Sequence, residues 1–149
     1  MSGPREQLAL QWMAKAANDL KNAQHTLLLP DPECPLDTVC FHAQQCAEKS
    51  LKAFLTLHGV PFEKIHELGQ LLALCTMSPG LIRELNRVDG LTPYATEARY
   101  PDEEGQEPIS RRQAKQAVAM GKQAYEAIQK RLRDLPQGRV RNLERRRKK

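Results

Sequence analysis

Aromatic residues are scarce in this chain, 5% of the total, and no apolar run approaches the roughly 20 residues that span a bilayer. Runs of β-branched residues are scarce too, which argues against a sheet. There is no Gly-rich phosphate loop, no H-E-x-x-H and no G-x-S-x-G, so the usual nucleotide-loop, zinc-protease and serine-hydrolase signatures are missing. The four cysteines, Cys34, Cys40, Cys46 and Cys75, form no C-x-x-C pair and have no histidine at zinc-site spacing, so neither a metal site nor a disulfide framework is expected. Nor does the start of the chain show a leader-like pattern. The expected setting is therefore the cytoplasm, with reduced, packed thiols and no membrane contact. No repeat of solenoid length is found.

A net charge of +5 suggests nucleic-acid binding until it is located along the chain. Residues 139–149 hold seven Lys/Arg and one Glu, whereas residues 1–138 hold 16 basic and 17 acidic side chains. The chain thus divides into a nearly neutral domain, 1–138, and a basic tail, RVRNLERRRKK, expected to lack fixed structure. The tail is a candidate for RNA contact, or a solubilising terminus.

What is abundant is Ala, Leu, Gln, Glu and Lys, and the composition favours helix. Pro4 can open a first helix, along which Leu8, Trp12, Ala16, Leu20, Ala23 and Leu27 recur at helical spacing. The run PDPECP stops it. A second helix from about Asp37 to His58 places Val39, Ala43, Cys46, Ala47, Ser50, Ala53, Phe54 and Leu57 inward, with Gln45, Glu48, Lys49, Lys52 and Thr56 opposite and Gln44 half-buried at the edge. Gly59 and Pro61 end it. A shorter helix is expected from about Lys64 to Cys75, with Ile65, Leu68, Leu72 and Cys75 inward. A fourth piece starts at Ser78-Pro79, turns Ile82 and Leu85 inward with Leu81 and Val88 as further candidates, and closes at Asp89-Gly90. The connection from Leu91 to Ile109 fits no regular pattern, and long irregular connections are often functional. Ser110 and Gln113 form a capping-box signature for a last long helix carrying Ala114, Ala117, Val118, Gly121, Tyr125, Ile128, Leu132 and Leu135 on its buried side. The expected fold is an all-α, antiparallel, up-and-down bundle of four to five helices.

Gln44, Gln45, Glu48, Lys49 and Lys52 recur at three- and four-residue steps. They read either as a polar patch that meets a phosphate and a base, or as a solvated face stabilised by Glu48–Lys52 pairing. In the long connection, Tyr94, Arg99 and Tyr100 offer a phosphate clamp and stacking surfaces. The alternative is that Arg99 ties the loop down by pairing with Glu48. His42, His58 and His66 have no nucleophile or carboxylate at a diagnostic spacing, so no catalytic residue is assigned. His58 reads as part of a helix end, and His66 as an interhelical hydrogen-bonding residue.

The words A-A-N-D-L at Ala16–Leu20, F-H-A-Q-Q-C-A-E-K-S-L-K-A at Phe41–Ala53, H-E-L at His66–Leu68 and A-R-Y-P-D at Ala98–Asp102, in this order, resemble the HEPN domain (higher eukaryotes and prokaryotes nucleotide-binding), over about residues 8–135. The resemblance implies a helical bundle, a homodimer, and a non-catalytic module that binds a nucleotide such as ATP or GTP. It also implies a minimal nucleotidyltransferase partner in a two-component, toxin-antitoxin-like pair. The alternative implied by the same family is a metal-independent ribonuclease, whose motif is an Arg followed four to six residues later by a His. Here no His has an Arg at that distance upstream; Lys21–His25 and Lys52–His58 have the spacing but lack the guanidinium fork. In that alternative, replacing His58 or His66 would abolish RNA cleavage.

Overall fold

Proline at the first helical position gives up no hydrogen bond, and Pro4 opens α1, Pro4–Leu27. A computed structural model describes residues 3–96 and 107–135 of the chain. After α1 come α2 (Leu36–Leu57), α3 (Leu68–Ala73), α4 (Pro79–Glu84), a 3-10 helix (Val88–Ala95) and α5 (Arg111–Arg133). Among the described residues there is no strand, and none of their helices is long and apolar enough to cross a membrane. The basic tail, Arg99 and Tyr100 lie outside the described residues.

The three long helices carry the core. Helix α2 is the central stave: Val39, Cys40, Ala43, Cys46, Ala47, Leu51 and Leu55 are fully buried, because α1 covers one side and α5 another. Burying each of the two leucines contributes about 1.5–3 kcal/mol. Helix α1 runs antiparallel to α2, so Asp19 meets His42 and Lys49 while Trp12 lies by Lys52. Helix α5 lies along α2 in the same direction: Gly121 is beside Ala43 and Cys46, and Asp134 is near His58. The short helices carry the chain back between them.

Close approach of α2 and α5 depends on Gly121, where an added β-carbon would sit 2.8 Å from the Ala43 carbonyl oxygen. The start of α5 is fixed twice. The Ser110 hydroxyl accepts from the Gln113 N–H while the Gln113 side chain accepts from the Ser110 N–H, the expected capping box. Arg111 donates to the Leu27 and Leu29 carbonyls and pairs with Asp31, so the end of α1 is tied to the start of α5. That guanidinium holds the Asp31 carboxyl below its ordinary range.

Several expectations are corrected. The inward stripe of α1 runs Ala9, Met13, Ala16, Leu20, Ala23, and Leu8 is 47% exposed; a one-residue offset turns a side chain by about 100°. Gln44 is fully buried, and Glu48 and Lys52, assigned to the outer side of α2, are only 7% exposed. The third helix begins at Leu68 rather than near Lys64, because Lys64 has φ +63 and a left-handed residue cannot sit inside an α-helix. Ile65 and Ile82 are only partly buried. Asp89 and Gly90 do not end an element. They lie inside the 3-10 helix, where Asp89 accepts from the Gly69 N–H and the Thr92 hydroxyl, and Thr92 in turn accepts from the Leu68 N–H. The first part of the supposedly irregular connection thus caps α3.

Candidate functional site

Asp19 is an acidic side chain on the inward stripe of α1, between Ala16 and Ala23, and it is 7% exposed. A buried carboxylate needs partners, and α2 supplies two. His42 Nδ1 is 2.8 Å from one carboxylate oxygen and Lys49 Nζ is 2.6 Å from the other. A carboxylate only accepts, so Nδ1 carries the proton, and among the described residues Nε2 has no hydrogen-bond partner. His42 and Lys49 keep 31% and 24% of their side chains exposed. Asp19 therefore holds two nitrogen-bearing side chains, two helical turns apart, at the surface edge of the α1/α2 seam.

A second polar chain runs along the same helix. The Gln45 amide donates to the Gln44 carbonyl oxygen (2.7 Å), the Gln44 amide donates to Glu48 (3.1 Å), and the other Glu48 oxygen accepts from Lys52 (3.0 Å). His66 closes the chain, with Nδ1 3.5 Å from Lys52 Nζ and 3.7 Å from Glu48. Lys52 Nζ also lies 5.7 Å from the ring centroids of both Trp12 and Phe62, which meet edge to face. Two aromatic rings and a carboxylate thus surround this ammonium, and its side chain is 9% exposed. The Glu48–Lys52 pair is a buried ion pair within α2.

Residues 42, 45, 49 and 52 follow at steps of three and four, so the two clusters share one stripe of α2. Five of the residues singled out from the sequence, Gln44, Gln45, Glu48, Lys49 and Lys52, are thus brought together, with Gln44 at the bottom and Gln45 and Lys49 nearer solvent. Tyr94 is elsewhere. It hydrogen-bonds the Cys40 thiol, and Cys40, only two residues before His42, is turned about 160° away from it around the helix. Arg99 and Tyr100 lie outside the described residues. His58 ends α2 as its C-cap and packs on Phe54 at 4.5 Å, in line with the helix-end reading. His66 does hydrogen-bond across elements, from an exposed position.

Asp19 and His42 were missed as a pair because they are 23 residues apart on different helices. One signal was present: an aspartate at the i+3 position from Ala16 and the i−4 position from Ala23 falls on an apolar stripe, where it must have a partner. Trp12 and Phe62 gave no such signal.

Among the described residues no cluster of three His, Cys, Asp or Glu could hold a metal. All four cysteines are free and buried, and burial pushes the thiols of Cys40, Cys46 and Cys75 up to about 12. The thiolate is the reactive form. These three should therefore fail to react with dithionitrobenzoate at pH about 8 in the native protein and react once it is unfolded; rapid native labelling would contradict their packing.

The family model described as "HEPN domain" matches residues 9–132. Among solved structures, the crystal structure of an archaeal HEPN homologue aligns with a TM-score of 0.64 at 22% identity, covering 83% of this chain and 97% of that one. No curated protein matches at a significant level.

Proposed function

Because this chain belongs to the HEPN domain family, we propose that it is a non-catalytic nucleotide-binding and interaction module that works as a homodimer beside a minimal nucleotidyltransferase, in a two-component, toxin-antitoxin-like pair. The observation that carries the nucleotide reading is the Asp19 anchor. It fixes an acceptor, the outer imidazole nitrogen of His42, and a donor, the Lys49 ammonium, side by side at an open edge lined further by Gln45. A phosphate meets the Lys49 ammonium, the other imidazole nitrogen accepts from a sugar hydroxyl or base N–H, and the glutamine amide supplies a further neutral contact. Glu48 and Lys52 act one layer down by holding Gln44 and Gln45 in place.

Titration calorimetry with ATP and GTP tests this reading. Saturable binding that falls at least about tenfold in Lys49→Ala is expected, one lost charge-assisted contact being worth about 1.5–3 kcal/mol. Absence of binding at millimolar nucleotide contradicts it. Sedimentation showing only monomer at micromolar concentration contradicts the dimer.

A ribonuclease is the second reading, and one feature favours it: the Asp19–His42 contact holds an imidazole in a single tautomer, as a general base requires. RNA cleavage that disappears in His42→Ala and survives chelation would select it over the first.

A further inference from the structure

The near neutrality of residues 1–138 conceals a division. Residues 1–110 carry nine basic and fifteen acidic side chains, whereas α5 alone carries seven basic and one acidic. Its basic residues fall into two groups. Those on the flanks are used by the fold: Arg111 pairs with Asp31, and Arg131 with Glu84 and the Ser78 hydroxyl. Those on the outer crest are Arg112, Lys115, Lys122, Lys130 and Arg133, all exposed. At 100° per residue they lie within an arc of about 80° and extend over about 32 Å of helix. Only Lys122 has an acidic neighbour, Glu126 at 3.8 Å. The other four have no carboxylate within salt-bridge distance among the described residues. Between them lie two shallow open depressions that share Ala119, one lined by Gln116 and the other by Gln123 together with Glu84 and Glu126.

We propose that the outer face of α5 binds the phosphate backbone of a nucleic-acid duplex without reading its sequence. The chemistry on the crest selects this occupant. An acidic protein would need an apolar centre to dock on, and this crest has only Ala119; the exposed large apolar side chains, Leu8, Leu10, Leu28, Leu29 and Met77, lie on other elements. A membrane surface needs aromatic or leucine side chains to insert, and the crest has none. Single strands are gripped by stacking on aromatic side chains, also missing there. What remains is a row of five cations, four of them unpaired among the described residues, with one carboxylate, Glu126, and neutral side chains between them, which suits regularly spaced phosphates. This face is separate from the α1/α2 seam, and the proposal does not depend on the nucleotide reading.

The test is fluorescence anisotropy of labelled RNA and DNA duplexes of about 20 base pairs, titrated with the full chain at several salt concentrations. The variant R112A/K115A/K130A/R133A removes four exposed charges, and E126K adds one. Because the basic tail stays in every sample, the comparison isolates α5. Binding in the wild type should weaken steeply with salt. In the fourfold variant the slope of log K against log salt should be shallower by about 3–4, with at least about tenfold weaker binding, while E126K should bind more tightly. An unchanged slope in the fourfold variant would assign all binding to the tail and overturn the proposal. So would absence of duplex binding by the wild type, or equal or tighter binding to polyglutamate, to phosphatidylserine vesicles or to single strands.

Discussion

Replacing Glu48 with Ala should lower the unfolding free energy by about 3–5 kcal/mol, the cost of leaving a buried charge without its partner. The Lys52 side chain is 9% exposed and Glu48 10%, and Gln44, fully buried, donates to the same carboxylate. The variant thus abandons an ammonium and an amide together. The aromatic faces of Trp12 and Phe62 beside Lys52 soften the loss without removing it. Replacing both partners, Glu48→Met with Lys52→Met, should recover part of the stability, because no ammonium is then left unpaired, although the buried Gln44 amide still loses its acceptor. Urea unfolding midpoints of the two variants separate this from ordinary loss of packing. If the single substitution costs less than about 1 kcal/mol, the pair behaves as a solvated helix-face pair and its role as a buried ion pair is refuted.

Gly121→Val should be nearly as severe, about 3 kcal/mol, at the upper end of what overpacking costs. Its β-carbon would lie 2.8 Å from the Ala43 carbonyl oxygen and 3.3 Å from the Ala43 α-carbon. These are backbone atoms of the most buried helix, so relief requires α5 to move away from α2. Gly121→Ala meets the same oxygen but gains about 1 kcal/mol of helix propensity, so it should be milder. Thermal melts of both check the ranking; a stabilised Val variant would mean that the helices are not in close contact here.

The sequence made the long helices legible because their signals are local. Pro4, the Ser110–Gln113 box and Gly59, at φ +69, mark ends by their own backbone chemistry, and the apolar period of α2 and α5 survives any tertiary arrangement. Burial of Glu48 and Lys52 was not legible, since an E-x-x-x-K step reads the same on a solvated face as on a covered one. What covers it is Trp12 and Phe62, at positions with no relation to it in sequence. The 3-10 helix was hidden for a related reason: Asp89 and Gly90 look like a stop, and only contact with the Gly69 and Leu68 amides shows them to be a cap. The family words, by contrast, were written in order along the chain, which is why the HEPN resemblance was visible before any coordinate.

The α1/α2 edge is tested most directly by following the imidazole of His42 by NMR while ATP or GTP is added. Nucleotide held by Lys49 and the free ring nitrogen shifts the His42 resonances saturably and leaves those of His58, at the end of α2, in place. His42 resonances that stay fixed while nucleotide binds elsewhere, or that respond only together with every other histidine, would contradict the placement of the site.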